Sequence, residues 1–294
     1  MRATRVEALM LSICLLGACT GPTAQVQPSA LPSPSPIPSD LASPSPVTNS
    51  SHVFVIAMEN RGYGQALTGT YTAALAAKYS VAADYHGVSH PSLPNYLALT
   101  SGSTWGITDD GYHRLPAGGL GAQLTSAGIA WRAYMEGMTE GCFNSPYPYA
   151  LKHNPFAYYG GSCPSQVVNF SHFAADLKNE VPRFVWITPG LCHDGHDCST
   201  ATADQWLAQT VPQILATDAW KNHGLLLITW DEGDDSANHV LALAIQPNAS
   251  ASASAHAYNH YSMLATIEDR LGLARLGQAA NASAMTDLVS NPGP

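Results

Sequence analysis

The run Val53-Phe54-Val55-Ile56-Ala57-Met58, followed at once by Glu59-Asn60-Arg61, decides how the rest of the chain is read. Six apolar residues in succession, with β-branched Val53, Val55 and Ile56 among them, mark a strand buried on both faces. The carboxylate and carboxamide that follow then stand at its carboxyl end. Similar runs occupy 183–188, 225–230 and 240–245, and helical patterns cover 71–79, 120–127, 203–215 and 262–271. Strands alternating with helices predict an α/β domain with a largely parallel sheet. In such sheets ligands bind beyond the carboxyl ends of the strands. The polar residues after each strand are therefore the candidates for chemistry.

The 294 residues suit one large domain with appendages. Apolar residues make up 46% of the chain, enough for a sizeable core. Charged residues are 11%, against about 25% in an average globular chain, so the surface is largely neutral and polar. A net charge of -9 argues against a nucleic-acid partner, which demands a basic patch. The same charge repels any anionic substrate. A phosphate ligand would need a local cation, which points to metal.

Arg2 and Arg5 precede the apolar run 8–16, which is too short to span a bilayer as a helix. The run ends in Leu16-Gly17-Ala18-Cys19, which resembles a bacterial lipobox with Cys19 as the acylated first mature residue. An ordinary secretory leader cut nearby is the other reading, and both imply export. Residues 1–18 are expected to be a lipoprotein signal peptide, 19–51 a Pro/Ser-rich tether and 52–294 the folded catalytic domain. The tether contains Pro32-Ser33-Pro34-Ser35-Pro36, which buries no apolar surface and favours extended polyproline II. With Cys14 in the leader, Cys142, Cys163, Cys192 and Cys198 remain, an even set that predicts two disulfides in an oxidising compartment. Three pairings are possible, and the sequence-local one, Cys142 with Cys163 and Cys192 with Cys198, is expected. A four-cysteine zinc site would need C-x-x-C pairs that are missing. Residues 137–169 read as an irregular excursion stapled by the first pair, and the tail after Gly277 as a fraying end.

Carboxylates are scarce, yet they gather where strands stop. The 225–230 run leads into Asp231-Glu232-Gly233-Asp234-Asp235, and the 183–188 run leads, through Pro189, to His193-Asp194-Gly195-His196-Asp197. Oxygen donors from Glu59, Asn60, Asp231 and Glu232 suit a hard divalent cation, while imidazoles near His193 and His196 suit zinc, iron or manganese. The acidic run alone would read as a solvated turn; together with the His-Asp loop it outweighs that reading. His90-Pro91-Ser92-Leu93-Pro94-Asn95 opens a helix expected over 93–100, because Pro94 fits a first turn. Ser92 is then either a plain N-cap or a nucleophile beside a helix start that attracts anions. As a nucleophile it needs a base or metal to lower its pKa. No G-x-S-x-G elbow surrounds it, which argues against a metal-free serine hydrolase. His153 is expected at the mouth of the pocket. A lone histidine before a helix, such as His260, more often reads as a cap or surface residue than as a ligand.

Taken in order, six segments carry a resemblance. They are Met58-Glu59-Asn60, His90-Pro91-Ser92-Leu93-Pro94-Asn95-Tyr96, Lys152-His153-Asn154-Pro155, Ile187-Thr188-Pro189 with Asp194-Gly195-His196-Asp197, Trp230-Asp231-Glu232-Gly233 and His260-Tyr261-Ser262. This series resembles the phosphoesterase family of bacterial phospholipases C and secreted acid phosphatases, within the alkaline phosphatase superfamily. The acid-phosphatase branch is nearer, through the His-Asn-Pro and Asp-Gly-His-Asp segments, and the match covers most of 53–273. The resemblance implies a three-layer α/β/α sandwich with a largely parallel central sheet, a divalent metal ion and a phosphoserine intermediate at Ser92. It implies Glu59, Asn60, Ser92, Asp231 and Glu232 as metal ligands, with His196, His90 and Asp194 joining Ser92 in catalysis. Asn95, His153 and His260 are expected to contact substrate. Glu232 stands where many members of the wider superfamily carry Asp or His, and the chain is short for that superfamily. The expected protein is an exported, lipid-anchored monomer on the outer face of a bacterial membrane that hydrolyses phosphate monoesters. Phospholipase C-type diester cleavage is the alternative, and a non-catalytic solute-binding lipoprotein the distant one.

Overall fold

The computed structural model describes residues 51–290. The signal peptide, Cys19 and nearly all of the tether expected at the N-terminus lie outside the described residues. Strand β1 (Val53–Met58) is buried along its whole length in an eight-stranded sheet of order β4-β3-β5-β1-β6-β7-β2-β8. It pairs in parallel with β5 (Phe184–Thr188) and β6 (Leu225–Trp230), which are also buried throughout. Strands β3 (Trp131–Met135) and β4 (Val167–Asn169) extend one side; β7 (Ala242–Ile245), β2 (Ser80–His86) and β8 (Ser252–Asn259) extend the other. Within this sheet only β7 runs antiparallel, against both β6 and β2.

The helices are α1 (Tyr63–Ala66), α2 (Thr70–Lys78), α3 (Ser92–Ser101), α4 (Gly119–Ser126) and α5 (Gly141–Asn144). They continue with α6 (Phe173–Asn179), α7 (Thr200–Leu215), α8 (Asp218–Lys221) and α9 (His260–Leu271). α3, α4 and α9 pack together, and α2, α6, α7 and α8 form a second group. A sheet between two helix groups is the expected three-layer sandwich. Helix α3 is buried all round, which an all-apolar helix would manage easily. Its polar residues manage it by bonding back to the helix: Thr100 Oγ1 donates to Tyr96 O and Ser101 Oγ to Leu97 O, each at 2.8 Å. α3 ends at Gly102, whose φ of 68° and close approach to Leu276 O leave no room for a Cβ.

The disulfides join Cys142 to Cys163 and Cys192 to Cys198, the pairing expected. The 137–169 segment carries α5, 3-10 turns at Leu151–His153 and Pro155–Ala157, and β4. The described part of the tail after Gly277, as far as Ser290, packs against the domain where fraying was expected. Its few apolar side chains, Met285, Leu288 and Val289, are buried, and Ser290 O accepts from both Gln246 Nε2 and Arg270 Nη1. No helix among the described residues is long and apolar enough to cross a membrane.

Candidate active site

The parallel register of β1 and β6 sets Met58 opposite Trp230, so Glu59 and Asp231 leave neighbouring strand ends side by side. Asp231 N donates to Met58 O at 2.9 Å, and Asn60 N donates to Asp231 Oδ1 at 3.2 Å. Asn60 has φ 47°, a left-handed conformation that asparagine tolerates better than most residues. The loop after β5 joins them, because Glu59 N donates to Asp194 O at 2.9 Å. Gly195, at φ 105°, lets that loop lie against Glu59 O.

Ser92 is the first residue of α3, and the N-cap position belongs to Pro91. Its hydroxyl therefore does not cap the helix. Ser92 Oγ lies 3.0 Å from Glu59 Oε2 and 3.2 Å from Glu232 Oε1, and its single proton can serve either carboxylate. The neighbouring Leu93 N donates instead to Asp110 Oδ1 at 3.0 Å. The second oxygen of Asp110 accepts from Lys152 Nζ at 2.9 Å. Asp110 and Lys152 were not among the residues expected at the site. Lys152 stood inside a recognised motif, whereas nothing in Asp109-Asp110-Gly111 marks it as more than a turn.

His153 is buried at the centre, 1% exposed, not at the mouth. The chain folds it inward because Thr188 Oγ1, at the end of β5, donates to His153 O at 3.1 Å, and Asn154 Nδ2 donates to Tyr149 Oη at 2.9 Å. Its ring stacks on Tyr96, with centroids 5.2 Å apart, between Glu59 Oε1 at 3.2 Å and Asp194 Oδ2 at 3.3 Å. These approaches are out of hydrogen-bonding alignment. Glu59 Oε1, Asp194 Oδ2, both His153 nitrogens and Asp231 Oδ2 are all buried without a hydrogen-bond partner among the described residues. Unpaired buried groups of this kind are costly and call for a ligand. Glu59, His153 and His196 each offer a ligand atom within 4.8 Å of the others. Carboxylate, carboxamide and imidazole donors on one side of a sheet fit a divalent ion.

His196 is oriented from both sides. Asp197 Oδ1 lies 2.7 Å from its Nδ1 and Lys152 Nζ lies 3.2 Å from its Nε2. An ammonium only donates, so Nε2 accepts and the proton rests on Nδ1. Asp194 Oδ1 accepts from His196 N at 2.7 Å. His90, with 46% of its side chain exposed, bonds Glu232 Oε2 through Nδ1 and donates from Nε2 to Asp235 O at 3.1 Å.

Asn95 and His260, expected at the substrate, stand behind the site. Asn95 Oδ1 accepts from Val88 N and Ser89 N, and its Nδ2 donates to Ser89 O and Pro91 O. All of its carboxamide is engaged in holding the loop that presents His90 and Ser92. His260 is fully buried and donates from Nε2 to Asp231 O at 2.6 Å, while Nδ1 accepts from Tyr85 Oη at 2.9 Å. It fixes the backbone of Asp231. Burial and then the charges of Asp231 and Asp194 push the Glu59 carboxyl well up. Burial and then Glu232 do the same to Asp231, and burial lifts Asp194 to about 7. Without a cation the cluster gathers protons.

The fold is like that of solved alkaline-phosphatase-like structures. It superposes on an alkaline phosphatase superfamily protein from Vibrio parahaemolyticus with a TM-score of 0.57 at 12% identity, covering 76% of this chain and 67% of that one. It superposes on murine ectonucleotide pyrophosphatase/phosphodiesterase 5 with a TM-score of 0.61 at 13% identity, covering 82% and 100%. The Phosphoesterase family model matches residues 62–274, and the chain belongs to that family. It is 32% identical over 251 residues to the phosphatidylinositol-3-phosphatase of Mycobacterium tuberculosis, covering 81% of this chain and 82% of the relative. It is 28% identical over 244 residues to the phosphate-repressible acid phosphatase of Penicillium chrysogenum, covering 76% and 59%. The chain thus spans 59% of that fungal phosphatase's length.

Proposed function

We propose that this chain is an exported, metal-dependent phosphoesterase that hydrolyses phosphate monoesters through a phosphoserine at Ser92. One observation carries the reading: Ser92 Oγ points at Glu59 and Glu232, at 3.0 and 3.2 Å, among buried donor atoms that have no partner. Glu59, Asn60, Ser92, Asp231 and Glu232 are the residues to hold a divalent ion, whose charge would neutralise phosphoryl oxygens and lower the serine pKa. The chain's own groups do the rest. Glu59 or Glu232 takes the Oγ proton as the Oγ–P bond forms and the ester P–O bond breaks in line. His196, its Nδ1–H fixed on Asp197, serves the departing oxygen once its Nε2 is protonated, with His90 at the open side of the site. Water, giving a proton to the now neutral Nε2 of His196, then attacks phosphorus as the Oγ–P bond breaks; the carboxylate returns its proton to Ser92 Oγ and inorganic phosphate leaves. Asp194 holds the His196 backbone, and His153 borders the reacting group.

Two disulfides support an oxidising compartment, and acylation at Cys19 belongs to the same proposal. The name of the Mycobacterium tuberculosis relative supports a monoester on a lipid headgroup as one substrate to try. The test compares p-nitrophenyl phosphate, its bis-ester and a monophosphorylated phosphoinositide, with and without EDTA. Monoesters should be cleaved in preference, and EDTA should remove the activity until divalent metal is restored. Preferred cleavage of the bis-ester, or indifference to EDTA, would count against the reading.

A further inference from the structure

We propose that the Lys152 ammonium is the protein's own cation for the phosphoryl group, gripping a non-bridging oxygen of the bound ester. The inference rests on the phosphoesterase reading and adds a residue to it. Glu59, Asp110, Asp194, Asp197, Asp231 and Glu232 all stand at or beside the site, and a phosphate monoester brings further negative charge. Coulomb repulsion at a few ångströms in a partly buried site is large enough to exclude the substrate unless cations face it. Arg61 is pinned at each of its three nitrogens. Its Nε donates to Thr200 Oγ1, Nη1 to Asn60 O and Nη2 to Cys198 O, at 3.2, 2.7 and 2.8 Å. His153 is taken up elsewhere, its ring stacked on Tyr96 and its nitrogens facing Glu59 Oε1 and Asp194 Oδ2.

Lys152 is placed for the task. Its side chain is 21% exposed, enough to be reached and too little to be fully solvated. Among the described residues two of its three donors meet acceptors, Asp110 Oδ2 at 2.9 Å and His196 Nε2 at 3.2 Å, and the third is left for a ligand. Asp110 bonds Leu93 N through its other oxygen, which ties the ammonium to the first turn of the Ser92 helix. His153, the next residue in the chain, lies against Glu59. Two separate connections therefore bring Nζ to the place where a phosphoryl group on Ser92 would be.

The competing role is a simple pin, in which Lys152 only holds the Asp110 loop. The two roles give Asp110→Asn opposite signs. Asparagine keeps an oxygen for Leu93 N–H but removes the charge that competes for the ammonium. The competitive Ki of inorganic phosphate and the KM and kcat on p-nitrophenyl phosphate would be measured for wild type, Lys152→Met, Lys152→Arg and Asp110→Asn, with melting curves for each. Lys152→Met should raise Ki and KM roughly 10- to 100-fold, the worth of a charge-assisted hydrogen bond, and Lys152→Arg should recover most of it. Asp110→Asn should tighten phosphate binding. A wild-type Ki in Lys152→Met, or an Asp110→Asn variant as weak as Lys152→Met, overturns the proposal while leaving the phosphoesterase reading intact. If Lys152→Met does not fold, the sign of the Asp110→Asn effect decides. A wild-type protein that cleaves no phosphate ester overturns the underlying reading instead.

Discussion

Ser92 Oγ, Glu59, Asp194 and Asp231 form a group whose members make little sense singly. Buried carboxylates repel one another, and each is pushed toward its neutral form by burial before any neighbour is counted. This has a consequence for stability in the metal-free protein. Asp194 is lifted from 3.8 to about 7, so its contribution is fully present below pH 3.8 and is lost as pH rises through about 7. Glu59 and Asp231 shift in the same direction. Protein treated with EDTA should therefore melt at progressively lower temperature as pH is raised across that interval. Added divalent metal should reverse the loss, with the larger gain at higher pH, because metal must displace the bound protons. Thermal melts across pH with and without metal check this; a metal-induced gain that shrinks as pH rises would contradict it.

Helix α9 carries a further buried acid, outside the site. Glu268 Oε1 accepts from Leu276 N at 2.9 Å, its Oε2 has no partner among the described residues, and burial raises its pKa to about 8. Its contribution is present below about 4.5 and lost through pH 8. Glu268→Gln keeps the acceptor and removes the charge, so it should match wild type near pH 4.5 and melt higher near pH 8. Each kcal/mol would move Tm by roughly 2–4 °C at this chain length. Equal melting points at both pH values would refute the assignment. The elements themselves were unequally legible. β1, β5 and β6 announce themselves as unbroken apolar runs, and Glu59, Asp231 and Glu232 follow from being next in line. β8 does not, because its Ser- and Ala-rich residues are mostly exposed at the sheet edge. β3 is disguised by Arg132, whose charge is met by Asp176 at 2.8 Å. The Lys152–Asp110 contact joins residues 42 apart, and no local pattern encodes it. His260 was legible as part of a motif, but its position behind Asp231 depends on how α9 meets β6.

Across the domain, the sheet acts as the instrument that brings distant segments to the carboxyl ends of its central strands. β1 supplies Glu59, the loop after β5 supplies Asp194 and His196, β6 supplies Asp231 and Glu232, and α3 presents Ser92. The segment stapled by Cys142 and Cys163 adds His153 and Lys152 from the side. The starting run 53–58 thus fixes more than a strand, since its end is the meeting point of all the others. The claim that most depends on this convergence is covalent catalysis at Ser92. The direct measurement is to quench the metal-loaded protein during turnover of a phosphate monoester and locate phosphate by mass spectrometry of its peptides. We expect phosphate on Ser92 in wild type, and neither phosphate nor turnover in a folded Ser92→Ala variant. Substantial turnover by Ser92→Ala, or phosphate trapped on another residue, would contradict the account.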